Sequence, residues 1–155
     1  MGHDAMRWMW IDQIIDFEDG NRLSAVKNVS LSEEHLHDHF AADDRFEAQP
    51  IMPASLIIEG MAQTAGILVG AVNRFREKVV LAKIVRVSLE HEVPPGSTLR
   101  YDAVLDRIDE AGAADRIATD ADAGRLAQAR DGGLQHGLIG QRAGTGHDAH
   151  LAALV

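Results

Sequence analysis

Between Ile51 and Asn73 the chain carries one charged residue, Glu59, and this stretch constrains the fold more than any other. Pro53 stands near its start, where a helix tolerates a missing N–H in its first turn. Leu56, Ile57, Met61, Thr64, Ile67 and Leu68 recur at helical spacing. Ile58, Ala62, Ala65 and Val69 fill the remaining faces, so the predicted helix has no polar side to give to solvent. Such a helix must be wrapped by the rest of the fold or by lipid. Glu59, Gln63 and the glycine and alanine content favour the protein interior, so no membrane insertion is expected. Keeping a carboxylate ionised inside an apolar helix costs about several kcal/mol unless it is paired or used. Glu59 is therefore the first candidate for an acid.

The elements that could wrap this helix are strands. Met9 to Phe17 and Arg22 to Val29 read as two strands around the turn cluster Glu18-Asp19-Gly20-Asn21. Val79 to Val87 and Thr98 to Ile108, rich in β-branched residues, flank the turn Pro94-Pro95-Gly96-Ser97. Ser32-Glu33-Glu34 reads as a brief helical turn with an N-cap serine, and His35 to Gln49 as a polar, aperiodic loop of the kind that carries function. At 155 residues there is room for one sizeable core. A formal charge of −9 argues against a nucleic-acid partner, which needs a basic face. The absence of cysteine suits a reducing cytoplasm, and no stretch has the make-up of a targeting segment, so a cytoplasmic protein is expected.

The end of the chain is different material. Residues 111–155 contain no Lys, Glu, Pro, Met, Asn or aromatic residue, and Ala and Gly fill 20 of the 45 positions. Asp115 to Gly146 shows neither alternation nor β-branched enrichment, so this end is expected to be poorly structured, either as a flexible extension or as the product of a GC-rich reading frame. The expected division is 1–110 as the folded domain and 111–155 as an atypical end in which strands are missing or irregular.

His39-Phe40, then Pro53-Ala54, Glu59 and Met61-Ala62-Gln63 resemble the signature of the 3-hydroxyacyl-(acyl carrier protein) dehydratases: His-Phe-Pro-Gly, Pro-Gly, and an apolar helix with Glu or Asp before Met-Ala-Gln. The likeness continues upstream through Ile11-Asp12, Asp16 to Gly20 and Ala25 to Ser30, and spans most of residues 6 to 108. It implies an α+β hot-dog fold, a curved antiparallel sheet around a central helix. It also implies a homodimer or an assembly of dimers in which His39 of one subunit faces Glu59 of the other. The implied reaction is dehydration of 3-hydroxyacyl thioesters, carried by acyl carrier protein, to trans-2-enoyl thioesters in fatty-acid biosynthesis.

Two departures from the signature matter. Ala54 replaces the second glycine, and Pro53 follows His39 by fourteen residues where the family pattern has about eight, so Ala41 to Gln49 holds an insertion of roughly six residues beside the site. The insertion could reshape the substrate entrance. Glu90-His91-Glu92 also stands where the family often has basic residues, which weakens the case for contact with an acidic carrier there.

Dehydration needs one base and one acid, and neither a metal nor an organic cofactor. His39 can take the proton beside the thioester carbonyl, and Glu59 can protonate the departing hydroxyl or orient a water. Backbone N–H groups at the helix start, near Ala54, can hold the thioester oxygen as it gains charge. Phe40 and Pro53 complete the substrate contacts, and Gln63 is expected to give structural support. Trp8, Trp10 and Phe40 are candidates to line an apolar tunnel. Gly66 and Gly70 suggest close approach of a strand or an acyl chain, or simple tight packing. Three other readings compete: a hot-dog thioesterase, a catalytically inactive acyl-binding homologue, and a metal site built on His35-Leu36-His37-Asp38-His39, which is one residue short of a metallohydrolase motif.

Overall fold

The computed structural model describes residues 8–109, 112–122 and 146–154. Six antiparallel strands form one sheet in the order β1-β2-β4-β5-β6-β3. In chain order the elements are β1 (Gln13–Glu18), β2 (Arg22–Asn28), a short helix α1 (Glu34–Asp38), the long helix α2 (Ala54–Val72), β3 (Val80–Ser88), β4 (Thr98–Asp109), β5 (Gly112–Asp122) and β6 (Gly146–Leu154). The expected first hairpin is present, with Gly20 at positive φ and the Asn21 N–H donating to the Glu18 carbonyl. The two later expected strands exist but are not partners: β3 lies at the sheet edge beside β6, while β4 sits between β2 and β5.

Helix α2 lies against the middle of the sheet. Ile57, Met61, Ala65 and Leu68 pack on Leu23 and Ala25 of β2, Leu99, Tyr101 and Ala103 of β4, and Ile117 of β5, all buried. The period of two along β4 supplies its share of this core, since Leu99, Tyr101 and Ala103 fall on one face. Closest approach is at Gly60, where a Cβ would run into the phenol ring of Tyr101. Gly66 and Gly70, the glycines singled out from their spacing, behave otherwise: a Cβ on Gly66 would meet open space, and one on Gly70 would meet the ring of Phe75.

The expectation of poor order after residue 110 needs correction for the residues described. Gly112–Asp122 is a full strand paired with β4 from Asp109↔Gly112 to Thr98↔Asp122, and Gly146–Leu154 pairs with both β5 and β3. The division at 110 falls inside the β4–β5 hairpin. Alternation is present in β5: Ala113, Asp115, Ile117 and Thr119 are buried, while Arg116 and Ala118 between them are exposed. It is disguised because the inward set includes an alanine, an aspartate and a threonine. Two neighbouring strands pair β5 on both sides, and that pairing overrides its weak β-propensity. The part of the same expectation that falls on residues 123–145 lies outside the described residues.

Candidate active site

The segment bearing His39 is anchored by charge and by one apolar side chain. Lys27, only 5% exposed, donates to Glu33 Oε1 at 2.5 Å and to the Asn28 carbonyl at 2.6 Å, with Asp12 at 3.6 Å. This network ties the end of β2 to the turn before α1, and Leu36 plugs α1 into the core. His35 to Asp38 is therefore helical rather than loop, which defeats the metal reading, because residues two apart do not share a helix face. His35 instead meets the ring of Trp10 edge-on at 5.1 Å, and burial lowers its pKa. Among the described residues no cluster of His, Asp and Glu is arranged to hold a metal ion.

His39 caps α1 with its N–H on the His35 carbonyl at 3.2 Å, and its ring Nδ1 lies 2.7 Å from the Ile51 carbonyl oxygen. A carbonyl only accepts, so Nδ1 carries the proton and Nε2 presents a lone pair. The ring of Phe40, a left-handed residue at φ 59°, lies against the imidazole with centroids 4.3 Å apart.

Residues 41–49 form an exposed lobe closed on itself. Asp43 Oδ1 accepts the Arg45 and Phe46 N–H groups at 2.8 Å, and the Gln49 N–H returns to the Phe40 carbonyl at 2.9 Å. The insertion leaves its two ends side by side, so His39 still reaches Ile51. Beyond it, the Met52 N–H bonds the Val93 carbonyl at 2.8 Å, fixing the approach to α2. Pro53 stands at the N-cap rather than inside the first turn, and no side chain caps the helix start that follows at Ala54.

Glu59 sits one and a half turns further along α2, exposed, not in the apolar surroundings expected of it. Its Oε1 accepts from Gln63 Nε2 at 2.9 Å. The same Gln63 donates to the Trp8 carbonyl at 2.6 Å and accepts the Trp10 N–H at 2.8 Å, so it orients Glu59 and binds the N-terminal segment to the helix. Glu59, Ala62, Gly66, Val79 and Asp115 line a cavity of about 240 Å³. It adjoins a larger cleft of about 640 Å³ walled by Trp8, Met9, Ile67 and Phe75, with Gln63, Gly66 and Val79 common to both. The bare Cα of Gly66 leaves the passage open.

Of the residues expected to line a tunnel, Trp8 does so. Trp10 packs on the core and on His35, and Phe40 lies outside the cavities against His39. His39 is likewise absent from the walls of either cavity. His39 and Glu59 therefore do not share either of these two cavities.

The sequence reading missed Asp115. It is 2% exposed, on the face of β5 turned to the helix, and neither carboxyl oxygen has a hydrogen-bond partner among the described residues. Burial, with the nearby Asp106 charge, pushes its pKa up to about 7. The signal for it was the inward register of Ala113, Ile117 and Thr119.

One helix held by an antiparallel sheet of this strand order defines a hot-dog protein, and solved structures agree. The similar chains include smu.793 from Streptococcus mutans bound to acetyl CoA, with TM-score 0.63 and 12% identity over 98% of this chain and 93% of that one. The dehydratase heterocomplex ApeI:P from Xenorhabdus doucetiae gives 0.59 and 12% over 90% and 93%, and a mutant of the fluoroacetyl-CoA-specific thioesterase FlK gives 0.55 and 15% over 90% and 88%. At these identities the likeness is one of fold.

Sequence narrows the class. The model of the FabA-like domain matches residues 3–124, and the chain belongs to that family. Its relatives include the 3-hydroxyacyl-[acyl-carrier-protein] dehydratase FabZ of Oenococcus oeni, 32% identical over 113 residues, 72% of this chain and 77% of that protein. The dehydratase of the same name from Ruminiclostridium cellulolyticum is 36% identical over 99 residues, 63% and 66% of the two chains. The family match includes β5.

Proposed function

We propose that the protein dehydrates 3-hydroxyacyl thioesters, presented on acyl carrier protein, to trans-2-enoyl thioesters in fatty-acid biosynthesis, as a cytoplasmic homodimer. The observation that carries the reading is the imidazole of His39. Its Nδ1–H is held by the Ile51 carbonyl, which leaves Nε2 as a base. Nε2 takes a proton from the carbon beside the thioester carbonyl, and the electron pair moves toward the carbonyl oxygen. The N–H groups at the uncapped start of α2, near Ala54, offset that charge. The pair then returns to form the carbon–carbon double bond as the 3-hydroxyl leaves. Glu59 protonates it, directly or through a water it orients, so that water departs. Transfer of the proton from His39 back to Glu59 restores both groups. Pro53 and Phe40 flank the thioester end.

Two features support a site made by two subunits. His39 lines neither of the two cavities described beside Glu59, and β3 is an edge strand among the described residues with Val80, Leu81, Ile84 and Val85 exposed. An unpaired apolar edge invites a second strand.

The fold likeness to a thioesterase keeps hydrolysis as the second reading. Incubating the protein with a 3-hydroxyacyl thioester while following enoyl absorbance and free thiol in parallel separates the two. Dehydration gives absorbance without thiol. Thiol release without enoyl formation defeats the proposal.

A further inference from the structure

We infer that Asp115 makes the cavity beside Glu59 selective for acyl chains bearing a second hydroxyl, beyond the one that is eliminated. The cavity is otherwise of the kind that accepts a hydrocarbon chain, lined by Ala62, Ala65, Gly66, Val79 and Leu81. Into that wall β5 delivers a carboxyl, in register between Ala113 and Ile117, buried and with both oxygens unpartnered among the described residues. Polar atoms left in that state are rare in folded proteins, and each one asks for a partner.

The cavity decides what that partner is. Near neutrality the group carries a proton part of the time, so it has an O–H to donate as well as oxygens that accept. A hydroxyl matches both functions, whereas a methylene satisfies neither. A site built around a hydrogen-bonding group rejects the analogue that lacks it more strongly than an apolar pocket rejects an extra methylene. Glu59 and Asp115 line the same 240 Å³ space, with Ala62 and Gly66 marking about 10 Å of helix beyond Glu59 toward the larger cleft. The hydroxyl read by Asp115 is thus a second one, held in the same cavity that Glu59 lines. The other acids of the neighbourhood are accounted for: Glu59 is bonded by Gln63, and Asp106 pairs with Arg116 at 2.7 Å.

The inference rests on the acyl-thioester reading of the site, and the test keeps the two apart. Matched pantetheine thioethers, inert to dehydration and hydrolysis, carry either a plain chain or the same chain hydroxylated at successive carbons beyond the third. Binding to the full-length protein and to its Asp115→Val and Asp115→Asn variants is measured by calorimetry, and turnover of a plain 3-hydroxyacyl thioester is followed separately. The wild type is expected to bind one hydroxylated chain about tenfold or more tighter than the plain chain. Asp115→Val should reverse that order and Asp115→Asn should retain part of it. Equal binding of every chain by the wild type, or a preference that survives Asp115→Val, overturns the inference even if dehydration proceeds. A preference lost in Asp115→Val without any dehydration upholds it and sinks the dehydratase reading instead.

Discussion

His39 is held at its backbone by His35 and at its ring by Ile51, so its position does not depend on the imidazole acting as a base. Replacing it by alanine should abolish enoyl formation, a loss of about a hundredfold or more, while the melting temperature stays near wild type. Glu59→Gln keeps the bond from Gln63 and loses the proton, so it should lower turnover strongly with folding intact. Near-wild-type rates for either variant would remove that residue from the mechanism. Gly60→Ala acts differently: the new methyl meets Tyr101, whose ring is fully buried, and should cost about 1–3 kcal/mol in denaturant unfolding. Asp115 makes stability depend on pH. Its carboxyl titrates near 3.8 unfolded and about 7 folded, through burial and the Asp106 charge. The fold therefore binds a proton that the unfolded chain has already released. The wild type gains from this below pH 4 and loses the gain as pH rises to about 7. Asp115→Asn should raise the melting temperature at pH 8, with the advantage over wild type closing toward pH 4. A pH-independent difference would mean that the carboxyl is already ionised in the fold. The proposed pair, His39 and Glu59, was legible in the sequence because a motif carries it. The Ile51 acceptor and Asp115 were not, since each depends on which residues the fold brings opposite one another.

Among the elements, α2 was the most legible, because an apolar stretch broken by one carboxylate admits few placements. Its surroundings were less so. The sequence gives α2 no polar face, yet Glu59 stands exposed, since the sheet covers the helix from one side and Ala54, Ser55 and Glu59 lie away from it. β5 was hidden for a different reason: Ala113 and Asp115 do not look like core, although their register makes them so. The lobe at 41–49 behaves as an insertion should. Every residue in it is exposed, and the Gln49–Phe40 bond closes its base. Deleting residues 43 to 48 should shift preference among acyl chains and change the melting temperature little. A large thermal loss would show that the lobe packs on the domain. Lys27 lies at the other extreme. With its ammonium buried against Glu33, Lys27→Met should cost about 2–4 kcal/mol and loosen α1, so the damage to turnover should exceed that caused by deleting the lobe.

For the whole molecule, the decisive question is where His39 meets Glu59. The chain folds with His39 beside the 41–49 lobe and Glu59 on a cavity that His39 does not line, and among the described residues the apolar edge strand β3 has no partner on its outer side. The resemblance in sequence implies a site shared between subunits, and that arrangement is compatible with His39 lying outside the two cavities described beside Glu59. Complementation between variants tests it directly. His39→Ala and Glu59→Gln subunits, each inactive or nearly so alone, are mixed, exchanged under mild denaturant and returned to assay, with native mass spectrometry counting the mixed dimers. If each site takes His39 from one subunit and Glu59 from its partner, every mixed dimer regains one intact site, and an equal mixture should recover about a quarter of the wild-type rate. Abundant mixed dimers with no recovery would place both groups on the same subunit and contradict the account.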